Sequence, residues 1–258
     1  MLRTTGWFLV AVFSLSLASL DAAASTVQVQ AAIATAIADP RRPPDQARLD
    51  ATRKPGQLVA FAGLKPGDRI ADFMPGNGYF TRIFSDVVGP TGRVYAFIPS
   101  EQLAHCAPSE VAGTRAMASD PSYENVDILT GPAAAFHMVE KLDLIWTAQN
   151  YHDLHDAFMG PTDVAKLNRA FFDALKPGGV FLVIDHVAAA GSGLRDTETL
   201  HRIDPIRMRH EIEAAGFVLE AHSDVLRNGN DDHRRSVFDP LIRGATDQVV
   251  LRFRRPLS

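Results

Sequence analysis

The chain reads as an α/β protein: a mostly parallel sheet covered by helices on both faces. Three observations carry this. Short β-branched runs alternate with amphipathic segments along most of the 258 residues, the pattern of repeated strand–helix units. One run, Arg69-Ile70-Ala71-Asp72-Phe73, ends in the turn Met74-Pro75-Gly76-Asn77-Gly78 and opens directly into the amphipathic Tyr79-Phe80-Thr81-Arg82-Ile83-Phe84-Ser85. A third run, Val180-Phe181-Leu182-Val183-Ile184, is apolar throughout, as a strand buried on both faces must be.

The first two dozen residues stand apart. Arg3 precedes an apolar stretch from Gly6 to Leu20, and Ala22-Ala23-Ala24 offers small residues for cleavage near Ser25. This is the pattern of a secretory signal peptide over residues 1–24. The apolar stretch is short for a membrane span, which needs roughly 20 apolar residues. The expectation is an exported protein with no stable membrane span after cleavage.

Residues 25–63 read as an N-terminal helical cap. Gln28 to Ile37 has helical spacing, and the prolines of Asp39-Pro40-Arg41-Arg42-Pro43-Pro44 stop it, since consecutive prolines cannot continue a helix. Short helical pieces follow around Pro44–Asp50 and Gly56–Ala62. Arg48, Asp50 and Arg53 are expected to form surface ion pairs. A lid over the glycine turn is the functional alternative.

From residue 64 onward the elements follow in order. After the first strand and its helix to about Val88, Gly89-Pro90-Thr91-Gly92 is a stop. Arg93–Ile98 is a second strand, and Ser100 is placed to cap a helix starting at Glu101. Asn125–Leu129 and Leu142–Thr147 read as strands three and four. Asp163–Leu175 carries Val164, Leu167, Phe171 and Leu175 on one helical face. Lys176-Pro177-Gly178-Gly179 then turns into the fifth strand. Ile203–Ala215 is helical with a Gly216 stop, and Phe217–Asp224 and Gln248–Phe253 are two late strands.

Composition narrows the function. Hydrophobic content of 46% and charged content of 22% are ordinary for a soluble globule. A net charge of −4 gives no basic footprint for nucleic acid. Cys106 is the single cysteine, so no intrachain disulfide forms, and a buried structural thiol is expected.

Several segments together resemble the class I S-adenosylmethionine-dependent methyltransferases. Asp72-Phe73-Met74-Pro75-Gly76-Asn77-Gly78 stands at that family's Asp-x-Gly-x-Gly-x-Gly loop. Lys176-Pro177-Gly178-Gly179-Val180 is similar to its approach to strand five, and the late strand pair to its C-terminal hairpin. The resemblance runs from about Gln46 onward. It implies a Rossmann-like methyltransferase sandwich over residues 64–258, with a mostly parallel seven-stranded sheet and a C-terminal antiparallel hairpin. Asn150-Tyr151-His152-Asp153, Asp185-His186, the Asp196–Asp204 segment and Val237-Phe238-Asp239-Pro240 are similar to an exported, periplasmic bacterial group of predicted methyltransferases.

The resemblance implies S-adenosylmethionine as cofactor, a small-molecule acceptor, and methyl transfer between them. Asp72, Gly76, Asn77, Gly78 and Tyr79 are its implied cofactor residues. Three positions depart from the family: Met74 replaces a loop glycine, Ile98 stands where an acid usually grips the ribose, and Gly131-Pro132 follows strand three. Glu101 is the nearby acid placed to reach the ribose instead.

The fourth strand delivers Asn150, Tyr151 and His152 to the same crevice. His152 is the candidate base, because its ordinary pKa near 6.5 suits proton transfer around neutrality. Asn150 would hold acceptor or cofactor and Tyr151 would stack on either. His152, Asp153, His155 and Asp156, with Asp185-His186, also suggest a metal, but no dense ligand motif appears and no metal ligands are assigned. His201, Arg202, Asp204 and Arg207 form a polar cluster suited to an anionic group or to helix capping, as do Arg227 and Asn228. Two other readings stay open: a non-catalytic binding protein on the same fold, and a metal-assisted enzyme.

Overall fold

A computed structural model describes residues 26–160 and 162–257. The signal-peptide reading lies outside the described residues. Helix α1 spans residues 26–37 and is followed by three short helices, α2 (Pro44–Ala47), α3 (Asp50–Arg53) and α4 (Pro55–Ala62). Proline at the first position of α2 and of α4 explains both starts, since its missing N–H has no partner to lose there. Among the described residues, no helix is long and apolar enough to cross a membrane.

Seven strands form one sheet in the order β3-β2-β1-β4-β5-β7-β6. They are β1 (Arg69–Phe73), β2 (Arg93–Pro99), β3 (Val126–Gly131), β4 (Leu142–Ala148), β5 (Leu175–His186), β6 (Val218–Ser223) and β7 (Gln248–Arg254). The first five pair in parallel, and β7 runs antiparallel to both β5 and β6. The order reverses at β1, which pairs with β2 on one side and β4 on the other: Asp72 stands level with Ala96 and with Trp146. In an open α/β sheet this reversal leaves a crevice at the strands' C-terminal ends.

The remaining helices are α5 (Tyr79–Val88), α6 (Ser100–His105), α7 (Ala112–Ala116), α8 (Val164–Ala174), α9 (Thr197–Leu200) and α10 (Pro205–Ala214). Asp163 caps α8 by accepting from the Lys166 N–H, and Asp204 caps α10 by accepting from Ile206. Each sheet face carries a core. Phe171 of α8 meets Phe73 edge-on and Phe181 at a tilt, with centroids 5.0 and 5.2 Å apart. Phe80 and Phe84 of α5 close on Trp146 at 4.7 and 5.0 Å on the opposite face. These rings fix α5, and so the loop before it, against β1 and β4.

Two local expectations are corrected. Lys176-Pro177-Gly178-Gly179 is not a turn before the strand. Leu175 already pairs with Leu142, and the ladder resumes at Leu144 with Val180, so the four residues form a bulge within β5. Ser100 does not cap α6. It is the first helical residue, Pro99 precedes it, and its hydroxyl turns to the Glu101 carboxylate.

Candidate functional site

A cavity of about 320 Å³ opens at the C-terminal ends of β1 and β4. The β1–α5 loop gives it Asp72, Met74, Gly76 and Asn77, and the segment after β4 gives Gln149, Asn150 and Asp153. The N-terminal helices close one wall with Gln46, Leu49 and Arg53. A second cavity of about 390 Å³ shares Leu49, Arg53 and Gln149 with it and extends to His186, Phe238, Arg243 and Thr246. The two make one cleft over the sheet's reversal point. A depression of about 470 Å³ beside Arg93 and Asn125 lies at the other end of the strands, away from the glycine loop.

Three of five loop residues are left-handed: Met74 (φ 58°), Gly76 (φ 55°) and Gly78 (φ 78°). Met74 holds the conformation that glycine adopts without cost, and its N–H is fixed on the Phe97 carbonyl at 2.9 Å. The two glycines differ in what surrounds them. A Cβ on Gly76 would meet nothing within 4 Å, whereas one on Gly78 would lie 2.4 Å from the Met117 side chain and 2.9 Å from Thr114. The space a Gly78 side chain would take is filled by protein, and Gly78 is not among the residues that line the cavity. Arg82, almost fully buried, donates from beneath the loop to the carbonyls of Asn77, Gly78 and Gly113. The Asn77 side chain accepts from the Gly113 N–H at 2.5 Å. It lines the cavity and braces the loop at the same time.

Asp72 is 3% exposed and accepts from the Thr81 hydroxyl at 2.6 Å. Burial pushes its carboxyl up to about 7, and the Thr81 bond only partly opposes this. Tyr79 lines the cavity, and its hydroxyl is engaged at the N-terminal helices. Its hydroxyl donates to Asp50 at 2.6 Å, and the Arg42 and Arg53 guanidiniums lie 5.4 and 4.7 Å from its ring centre. Burial and the Asp50 carboxylate push the phenol up further still. Glu101 accepts from the Ala133 N–H at 3.1 Å and so ties the end of β2 to that of β3. Its neighbour Gln102 lines the cavity instead.

The segment after β4 separates the residues expected to act together. Gln149 is left-handed (φ 63°). Asn150 is buried, donates to the Met74 carbonyl at 2.9 Å and accepts from the Thr147 hydroxyl, so its amide staples β4 to the loop. Tyr151 is fully buried among α8 and α10, where its hydroxyl meets Asn168 at 2.7 Å and Glu211 at 3.2 Å. The stacking role expected of Tyr151 is corrected: its ring is core.

His152 is 2% exposed. Its N–H and Nδ1 meet the two oxygens of Asp185 at 2.7 and 2.8 Å, and its Nε2 lies 3.0 Å from Asp153. Burial pulls the imidazole pKa down, but Asp185 and Asp153 outweigh it and hold the ring well above its ordinary value. Against the upward pull of its own burial, Asp153 is held at about 2 by His152 and His201. With Nδ1 on Asp185 and Nε2 on Asp153, both ring nitrogens are engaged by carboxylates, so the expectation of a His152 free to take a substrate proton is corrected. His201, left-handed (φ 54°) after α9, brings Nδ1 to 3.9 Å from Asp153. His186 donates to or accepts from the Thr246 hydroxyl at 2.8 Å, and burial lowers its pKa to about 4. His155 points to Glu211.

The other polar clusters are structural. Arg202 is fully buried on Asp231 and the carbonyls of Val187 and Arg235. Arg207 pairs with Glu211, and Arg227 and Asn228 both engage Asp247. Cys106 is half-buried, with its thiol pushed up by that burial. Arg53, Gln102 and Gln149 are cavity residues that sequence reasoning missed. Arg53 carried a signal only as one of three charges near the glycine turn, and it pairs with an aromatic face instead of an acid.

No family model matches the chain. Over 127 residues, 49% of the chain, it is 24% identical to the ubiquinone/menaquinone biosynthesis C-methyltransferase of Ectopseudomonas mendocina (strain ymp). That match takes in 45% of the relative, so the chain spans about half the length of the curated protein it matches. Among solved structures, it is similar to a SAM-dependent methyltransferase from Aquifex aeolicus, with a TM-score of 0.54 and 15% identity, covering 80% of this chain and 97% of the other. A methyltransferase from Mesorhizobium loti gives 0.54 at 19% identity over 80% and 100% of the two chains. The cyclase SpnF gives 0.59 at 19% identity over 85% of each. At these identities the likeness shows the fold, that of the class I methyltransferases.

Proposed function

We propose that the chain binds S-adenosylmethionine in the β1–β4 cavity and transfers its methyl group to a small polar acceptor in the adjoining one. The carrying observation is the β1–α5 loop: an acid at the strand end, left-handed residues at 74, 76 and 78, and a Gly76 face open to the cavity. A relative named as a C-methyltransferase supports the same reading. The bound sulfonium would supply an activated methyl carbon with a neutral sulfur as leaving group.

The chain's own residues supply alignment, the main requirement of such a displacement. Asp72 sits behind the loop, where an ionised carboxylate attracts an ammonium group. Asn150 holds the Met74 carbonyl and so fixes the loop's height above β4. Arg53 and Arg243 give the second cavity a cationic lining that suits an acceptor carrying an anionic group. His152 serves as a positioning residue: it fixes Asp153 at the cavity wall. An acceptor that needs no strong base fits these groups best.

The reading extends to the compartment and to the narrower kinship. The signal-peptide pattern in residues 1–24 supports export, and the His152, Asp185 and His201 segments support the exported bacterial group. Titration of untagged mature protein with S-adenosylmethionine and with its demethylated product tests the core claim. Saturable binding of both is expected, and no binding up to millimolar concentration would sink it. The non-catalytic binder is favoured by one observation: Ile98 is fully buried and Glu101 is engaged with Ala133, so neither offers a ribose an acid. Recovery of an unrelated metabolite from protein taken from its own compartment would support that second reading.

A further inference from the structure

We infer that His152, Asp153 and His201 form a site for a divalent transition-metal ion at the inner wall of the cleft. His152, Asp153 and His201 each offer one ligand atom, and these atoms all lie within 4.8 Å of one another. Metal bonds of about 2.0–2.2 Å set tetrahedral ligand atoms roughly 3.3–3.6 Å apart. The observed 3.0 Å from His152 to Asp153 and 3.9 Å from His201 to Asp153 bracket that spacing. Coordination requires His152 Nε2 without its proton, so metal uptake releases a proton there and weakens as the pH falls.

The surroundings fit a metal in three further ways. Metal-bound histidines commonly give their second nitrogen to a carboxylate, which fixes the ring. His152 has this arrangement: its Nδ1 and backbone N–H both meet the fully buried Asp185. His201 is held from outside by the Phe238 ring, with centroids 4.7 Å apart. The charge around the site is also unbalanced. Asp153, Asp156 and Asp185 surround the two imidazoles of His152 and His201, and Asp156, 4% exposed, keeps Oδ1 without a hydrogen-bond partner among the described residues. Buried carboxylates in such excess call for a cation.

Two nitrogens and one carboxylate oxygen suit zinc or a neighbouring first-row ion, and three protein ligands leave a coordination position open. Asp153 also lines the cavity, so a small ligand with an oxygen or nitrogen donor could reach that position. Metal uptake itself does not depend on whether a methyl group is transferred.

Untagged, chelator-stripped protein titrated with zinc by calorimetry tests the site, with cobalt absorption as the readout of geometry. One equivalent of zinc is expected to bind, and bound cobalt is expected to show the visible spectrum of a tetrahedral site. His201→Ala changes a half-buried loop residue and should fold. It is expected to weaken zinc binding by more than about tenfold, while His222→Ala, on the exposed face of β6, leaves it unchanged. No stoichiometric uptake overturns the proposal. So does affinity that His201→Ala leaves within about twofold.

Discussion

Gly76 and Gly78 are two residues apart and are glycines for different reasons. Both are left-handed, so a side chain at either costs about 1–2 kcal/mol. Only at Gly78 does the added Cβ also collide with Met117, Thr114 and Arg82. Gly78→Ala is expected to lower stability in urea by about 3 kcal/mol or more, and Gly76→Ala by about 1 kcal/mol. Cofactor affinity should show the opposite emphasis: Gly76→Ala narrows the cavity, and titration of the still-folded variant should show a loss of at least about tenfold.

Asp72 gives a pH prediction with a definite sign. Its folded pKa of about 7 lies above the ordinary value of 3.8. The folded state therefore holds the extra proton, and the stability this gives is lost as the pH rises from about 4 through 7. Asp72→Asn removes that loss. It should match the wild type near pH 4 and exceed it by up to about 4 kcal/mol above pH 7, measured by denaturant unfolding at both pH values. The same variant should bind S-adenosylmethionine more weakly. In the wild type, affinity for the cationic ligand should rise about tenfold per pH unit up to 7 and then level off.

At the scale of elements, the N-terminal helices are held by a small set of polar ties. Arg42, with its side chain 1% exposed, meets Asp50 at 2.6 Å. Asp50 accepts from Tyr79 of α5, and Gln46 donates to the Asn77 carbonyl at 2.9 Å. Removing one partner of a largely buried pair costs far more than removing an exposed one. Arg42→Ala is expected to cost about 2–3 kcal/mol, speed hydrogen exchange across residues 26–53 and weaken cofactor binding through Leu49 and Arg53. Arg169→Ala breaks the exposed α8 pair with Asp173, whose side chains are 57% and 54% exposed. It should cost less than about 0.5 kcal/mol and leave binding unchanged.

For the whole molecule, a ligand seated where β1, β4 and the N-terminal helices meet must stabilise the fold as one unit. At about a hundred times its dissociation constant, a ligand adds about 2.7 kcal/mol. For a chain of this size that is roughly 5–10 °C in Tm. The demethylated cofactor product should produce this shift, and adenosine alone a smaller one. A flat melting point at millimolar product would count against the cavity as the cofactor site.

Much of this architecture was legible in the residues before any coordinates. Strand and helix spans follow from periodicity and stops acting over a few residues, which is why Tyr79–Val88 and Val164–Ala174 lie close to where the pattern puts them. The glycine turn and the late strand pair were legible for the same reason. What lay beyond the sequence is long-range pairing. Asp185 meets His152 across 33 positions of chain only because β4 and β5 are neighbours in register. Arg53 reaches the cleft only because the N-terminal helices fold back over α5. The sequence by itself determined the elements, their order and the end of the sheet where a ligand sits, because those depend on local preference and hydrophobic period. Tertiary structure alone decided that Gly78 and Tyr151 face the interior, that Glu101 is engaged and that His152 is clamped between two carboxylates. A side chain's protonation and direction depend on neighbours brought together only by the closed sheet.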